Sequence, residues 1–317
     1  MQELTTTRQN PFIDPALHVW HGEIPLYLFL GGLVAGVMVI AGLRLWRAPE
    51  GPRSRALGLL PWSAPILLSA GMLFLWLDLE NPWNAFRFYL ALRPASPMSW
   101  GAWILLAIYP ASLALAWRTT PDDLKARAAR RVPALGRFLT CSVARTRAVG
   151  LVNAVLGAAL GIYTGVLLGA LAARPLWNSA LLGPLFLASG LSTGAAFLLL
   201  ARLDSHERTA LGRADLGFIL TELALLGLWL TGLLASGGAG RAAAGLLLGG
   251  PYTAAFWTLV VAAGLVTPLA AEWIELRRGE APGRFAAGLV LVGGLALRWI
   301  LVAAGQHSSW ALEVAGR

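Results

Sequence analysis

Eight stretches of about 20 predominantly apolar residues run through this sequence, and they restrict its fold more than any motif does. They lie near residues 24–46, 57–77, 99–118, 148–172, 178–201, 215–236, 252–271 and 285–305. As a helix rising about 1.5 Å per residue, each is long enough to cross a hydrocarbon layer of roughly 30 Å. The runs are continuous and rich in leucine and alanine, with no alternation over about ten residues, so the pattern predicts helices and not a β-barrel. Charged residues make up 13% of the 317 and hydrophobic ones 57%, against about 25% charged in soluble domains. The expected fold is an all-α integral membrane protein, a bundle of eight transmembrane helices. One domain covers residues 1–317, with 1–23 as an outer N-terminal segment and 118–147 as a basic cytoplasmic loop. Gly32 with Gly36, and Gly157 with Gly161, recur at four-residue spacing and suit close helix contact.

Charge placement orients the bundle. Most of the 25 Lys and Arg residues fall in the connections after the first, third, fifth and seventh windows, whereas the remaining connections and the termini hold Arg8, Arg87, Arg93, Arg174, Arg241 and Arg317. By the positive-inside rule the first group is cytoplasmic and both termini face the outer side. A net charge of +9 distributed in this way marks topology and contact with lipid headgroups, not nucleic acid. The single cysteine, Cys141, excludes an intrachain disulfide and a cysteine-held metal or iron–sulfur cluster, so any cluster belongs to a partner. The four histidines, His18, His21, His206 and His307, all fall outside the windows, which argues against a haem held between facing helices.

Polar side chains from several windows converge on the outer level. "WHGEIPLYLFLGG" brings His21, Glu23 and Tyr27 to the mouth of the first helix, with Trp20 before them. "LDLENPWNAFRFYLALRPASPMSWGAW" joins the second and third helices through an aromatic-rich connection carrying Asp78, Glu80 and Trp100. "GIYTGVLLGALAARPLWN" adds Tyr163, Trp177 and Asn178. Arg298 lies within the eighth window, where a charge faces the bundle interior with a partner, and Asp78 is the expected one. Glu222 is a lone carboxylate in the sixth window and suits either a proton route or a neutral packing role. At a helix entrance His21 and Glu23 suit capping as well as chemistry, and Tyr27 and Trp20 suit an interfacial aromatic belt.

Together these stretches resemble the polysulfide reductase membrane subunit family, the NrfD-like proteins, from about residue 18 to residue 307. The resemblance implies a quinone-binding anchor, for menaquinone or ubiquinone, in the inner membrane of a cell with anaerobic respiration. It further implies no haem or metal on this chain, an iron–sulfur subunit of the four-cluster ferredoxin type docked on the outer, periplasmic face, and a molybdopterin catalytic subunit beyond it. Tyr163 matches a family tyrosine that contacts the quinone. The family's first-helix histidine and nearby asparagine align with Tyr27 and Ile24 here, so Tyr27 or His21 supplies the second donor. Trp100, Trp177 and Asn178 then shape the pocket, and Glu23, Asp78, Glu80, Arg298 and Glu222 relay protons, because quinone chemistry moves two protons with two electrons. Two other readings use the same residues: an ion-coupled secondary transporter built on Glu222, Arg298 and Asp78, with helices broken near Pro110, Pro184 or Pro268, and a passive anchor without quinone chemistry.

Overall fold

The computed structural model describes residues 20–51, 53–79, 81–90, 93, 96–131, 143–170 and 174–309. Within them eight helices are long and apolar enough to cross a membrane. In chain order the helices are α1 (Glu23–Arg47), α2 (Arg55–Leu77), α3 (Pro97–Thr119), α4 (Asp122–Arg131), α5 (Val143–Gly169), α6 (Leu182–Leu199), α7 (Ser205–Ala235), α8 (Gly238–Leu248), α9 (Thr253–Arg277) and α10 (Arg284–His307). All but α4 and α8 are spans. The protein is thus an all-helical, multi-pass membrane protein, as the hydropathy pattern predicts.

Three features depart from the sequence expectation. α7 begins ten residues earlier than its apolar window, at Ser205, and α9 runs six residues beyond its window, to Arg277. An apolar window stops at the first cluster of charges, whereas a helix continues while its backbone bonds are made. The basic connection carries the short, charge-rich helix α4, and α8 is an extra helix between the sixth and seventh spans. Of the three prolines, Pro110 sits inside α3 and Pro184 in the first turns of α6, without dividing either helix. Pro268 is different: the π-helical turns of Phe256–Val266 precede it. Its ring would meet the carbonyl four residues earlier in a regular α-helix, and wider turns avoid that clash.

α1 is the hub, packed against α2, α5, α6 and α10. Small residues bring the backbones together. A methyl group on Gly36 would lie 2.1 Å from the Gly190 carbonyl of α6, and one on Gly42 would lie 2.6 Å from the Gly150 carbonyl of α5. Between helices that gain nothing from leaving lipid tails, such close van der Waals contact is the main attraction. Gly157 approaches the Ala35 carbonyl in the same way, so the paired glycines serve packing.

Antiparallel succession gathers the Arg-rich connections at one end, here called the basic end. Arg44 pairs there with Glu207 at 2.9 Å, and Glu207 also accepts the Ser54 backbone N–H at 3.0 Å. The opposite, aromatic end carries Trp20, Trp76, Trp83, Trp100 and Trp177.

Candidate functional site

Near the aromatic end α1, α2, α3 and α5 border a cavity of about 110 Å³. Its wall is mostly apolar, with Met72, Leu105 and Leu167 among the lining residues, and three phenols, Tyr27, Tyr89 and Tyr163, border it. Tyr27 enters from the second turn of α1 and Tyr163 from the penultimate turns of α5. Both are almost fully buried, at 4% and 7% exposure. Neither hydroxyl hydrogen-bonds to another described residue. Gly101 of α3 makes room for Tyr163: a Cβ there would lie 1.9 Å from the phenol oxygen.

At the mouth, ligand atoms of His21, Glu23 and Asp78 lie within 4.8 Å of one another. Asp78 caps the end of α2, where it accepts a hydrogen bond from the His21 backbone. Burial raises its carboxyl above the ordinary aspartate range; Glu23 adds to that and His21 opposes it. His21 is exposed and Glu23 half-buried. Glu23 precedes Tyr27 by four residues, so the two share one face of α1. The cluster is therefore joined to the cavity by a single helical turn. Its spacing also suits a divalent cation, and no other group of His, Cys, Asp and Glu among the described residues does.

The structure thus brings together Tyr27, Tyr163, Glu23, Asp78 and His21 at one corner of the bundle. It does not bring the rest of the expected set there. Trp177 is buried against α10, donating its indole N–H to the Leu301 carbonyl at 2.8 Å and lying 5.3 Å from the Trp20 ring. Arg174 reaches the Ser308 carbonyl at 2.9 Å. "RPLWN" accordingly clamps the end of α10, and Asn178 is exposed beside it. Trp100 is 47% exposed, because it neighbours the cavity-lining Gly101 and points about 100° away round α3. Glu80 and His18 lie outside the described residues.

Arg298 does not pair with Asp78. It lies nine residues, about 14 Å, before the end of α10. From there its guanidinium donates to the Ser189 hydroxyl and the Gly294 carbonyl, both at 2.8 Å, with the Phe186 ring 5.4 Å away. Glu222 is buried in the same region, close enough to interact with Arg298. Sequence reasoning missed four residues. Gly101 and Tyr89 line the cavity from the second-to-third span connection and its sequel, and Asp215 with Glu272 forms a further buried acidic pair.

The chain matches the family model described as polysulphide reductase, NrfD, over residues 9–308. It is 34% identical to Protein NrfD of Escherichia coli over 304 residues, which span 91% of this sequence and 95% of that one. It is 30% identical to the C chain of polysulfide reductase from Wolinella succinogenes over 309 residues, 91% and 94% of the two proteins. A putative dimethyl sulfoxide reductase membrane subunit of Halobacterium salinarum matches at 28% over 219 residues, 67% of this sequence and 49% of that protein.

Proposed function

This chain belongs to the NrfD polysulphide reductase family, and on that basis we propose that it is the membrane subunit of a reductase complex that binds a quinone, menaquinone or ubiquinone, in the Tyr27–Tyr163 cavity. The observation that carries this reading is the pair of phenols, buried as side chains and with no hydrogen bond to another described residue, on the wall of an apolar cavity. A quinone head needs that combination: an apolar slot and a few donors aimed at its carbonyl oxygens.

A bound quinone supplies a lipid-soluble carrier of two electrons and two protons. The protein's own residues do the remainder. Tyr163 and Tyr27 donate hydrogen bonds and fix orientation, while Met72, Leu105 and Leu167 exclude water. Gly101 leaves the space in which the Tyr163 ring lies. Glu23, one turn from Tyr27, exchanges protons with Asp78 and His21, and exposed His21 exchanges them with water. Asp78, held above the ordinary carboxylate range, retains a proton to donate at a higher pH than a free aspartate does.

Electrons leave or arrive through a partner, since a lone cysteine cannot hold a cluster. The names of the Wolinella and Halobacterium relatives denote one component of a larger reductase. By that kinship an iron–sulfur subunit docks at the aromatic end and connects to a molybdopterin catalytic subunit. The arginine-rich basic end then faces the cytoplasm and the aromatic end the periplasm.

The test is quinone binding and turnover by the complex purified from native membrane. Tyr163→Phe is expected to weaken quinone binding while the subunits still assemble. Wild-type complex that binds no quinone, or a variant with unchanged affinity, would remove the cavity from the mechanism.

A further inference from the structure

At the basic end a second cavity, of about 560 Å³, opens between the connection that follows α1, the start of α2, the junction of α3 with α4 and the first turn of α5. Its volume lies within the range of small-molecule sites. The wall is polar, unlike that of the Tyr27–Tyr163 cavity, and it is tied together. Trp62 of α2 donates its indole N–H to the Thr120 hydroxyl at 2.8 Å. Gly58 brings α2 so close to the end of α3 that an added Cβ would lie 2.9 Å from the Thr119 carbonyl. Ser54 caps α2 by accepting the Leu57 N–H at 3.2 Å.

Charge in this cavity is sorted by depth. Arg53, Arg55, Arg118 and Lys125 line it together with Glu50, Asp122 and Asp123, which by count alone is close to balance. The carboxylates stand at the rim: the Asp122 side chain is 98% exposed, that of Asp123 47%, and Glu50 is exposed. Lys125 is drawn inward, its side chain only 15% exposed, and its ammonium donates to the Arg118 carbonyl at 3.1 Å. Arg53 and Arg118 are half-buried, and neither has a carboxylate within ion-pair distance among the described residues. The pairs that do form, Arg55 with Asp123 at 3.4 Å and Lys125 with Asp122 at 3.3 Å, end on solvent-screened rim carboxylates and neutralise little. Burial and the nearby Arg44 charge together act against the charge on Arg53 more than Asp122 supports it. Positive charge is thus in excess on the cavity floor.

We propose that this cavity binds the phosphate of an anionic phospholipid, with Arg53, Arg118 and Lys125 as its ligands, and that the lipid staples the α1–α2 connection to α4 at the membrane surface. Two guanidinium forks and one ammonium suit the oxygens of a phosphate diester. Depth favours a lipid over a free ion. The cavity lies where α2 and α3 leave the apolar layer, and the adjoining turns of these spans carry Leu59, Ile66 and Leu113 on their exposed surface. A headgroup held by the three cations keeps its acyl chains against those residues, a contact that inorganic phosphate cannot make. Basic pockets between spans hold acidic headgroups in this way, and each cation near the surface adds to the attraction. Nothing in this site depends on the quinone reading.

The test is calorimetric titration of the complex, purified in a non-ionic detergent, with dioctanoyl phosphatidylglycerol, dioctanoyl phosphatidylcholine and inorganic phosphate. Phosphatidylglycerol is expected to bind roughly tenfold more tightly than phosphatidylcholine, or better, and Arg53→Gln/Arg118→Gln/Lys125→Gln should abolish that preference. Arg127→Gln/Arg130→Gln removes two exposed charges of α4 outside the cavity and should keep it. Equal loss in the two variants would mean attraction by the basic end as a whole and would overturn the site, as would a wild-type complex without the preference. Inorganic phosphate that binds as tightly as phosphatidylglycerol would overturn the lipid as occupant. Because a ligand of the folded state raises its melting temperature, phosphatidylglycerol should stabilise wild type and not the triple variant. Thermal melting also identifies a variant that fails to fold; Arg118→Gln then carries the test alone, with an unchanged preference overturning the proposal.

Discussion

A methyl group on Gly101 would fall 1.9 Å from the Tyr163 hydroxyl and 2.1 Å from the ring carbon that bears it. The third span lacks a side chain at the point where the fifth helix presents its phenol, so the glycine holds open the space that Tyr163 occupies. In Gly101→Ala the ring must leave, because its stem is fixed on α5 and buried. We expect quinone affinity to fall at least tenfold, with a loss of about 1–3 kcal/mol in stability from overpacking. Tyr163→Phe keeps the ring and removes one hydrogen bond of about 0.5–1.5 kcal/mol, a two- to tenfold loss of affinity at little cost in stability. Quinone titration of the two variants separates displacement of the ring from loss of its hydroxyl. Equal effects would mean that Gly101 does not act through Tyr163.

Gly36 makes a second prediction that does not depend on function. A Cβ there meets the Gly190 carbonyl at 2.1 Å and the Gly194 Cα at 2.9 Å, both backbone atoms that cannot swing aside. Gly36→Ala should force α1 from α6 and cost about 3 kcal/mol or more, above the usual range for overpacking. Gly227→Ala on α7 is the control, since nothing lies within 4 Å of its added methyl. An alanine there gains about 0.5–1 kcal/mol of helix propensity, so the control should melt at or slightly above the wild-type temperature. Thermal melting in detergent checks both.

The spans were legible in the sequence because a run of about 20 apolar residues has few alternatives in a protein with so little charge. That Tyr163 and Tyr27 lie at the same end of the bundle was legible because each is a polar tip near the end of such a run. Asp215 and Glu272 were not, for a specific reason. Each sits where an apolar window stops, Asp215 at the start of the sixth and Glu272 just past the end of the seventh, and a carboxylate at a window edge reads as a loop residue. α7 and α9 instead continue past them, by ten and five residues, which buries both. The signal that could have found them was the seven-residue spacing from Asp215 to Glu222, which sets both on one helix face. Trp177 shows the reverse error. It lies within "RPLWN" at the aromatic end, but level does not fix azimuth, and packing turns it toward α10 and Trp20.

Asp78 gives the pH dependence. Its carboxyl is held above the ordinary aspartate range by burial and by Glu23, so the folded protein keeps a proton that the unfolded one has lost. The folded state then carries no penalty at pH below the free aspartate value of about 3.9. A penalty appears as pH rises through the raised value in the folded state. Asp78→Asn removes the titration. Its melting temperature relative to wild type should therefore rise as pH climbs above the free aspartate value and level off above the raised one. EDTA in the buffer keeps divalent ions off the His21, Glu23 and Asp78 cluster. A difference that is flat with pH would show that Asp78 titrates as a free carboxyl.

Arg298 and Glu222 provide a cycle that distinguishes one partner from another. Arg298 is buried with Ser189 and the Gly294 carbonyl as hydrogen-bond acceptors, and Glu222 is close enough for its charge to act on Arg298. Removing one member strands the other. Arg298→Met leaves Glu222 without its nearby countercharge, and Glu222→Gln leaves Arg298 charged in an apolar bundle, so each single change should be destabilising. The double variant removes both charges together and should cost less than the sum of the two by more than the roughly 0.5 kcal/mol scatter of independent sites. Arg298→Met combined with Asp78→Asn should instead be additive, because Asp78 belongs to the mouth of the cavity with His21 and Glu23. Unfolding of all five variants beside wild type in one detergent decides it. Additivity with Glu222 and coupling with Asp78 would return Arg298 to the aromatic end.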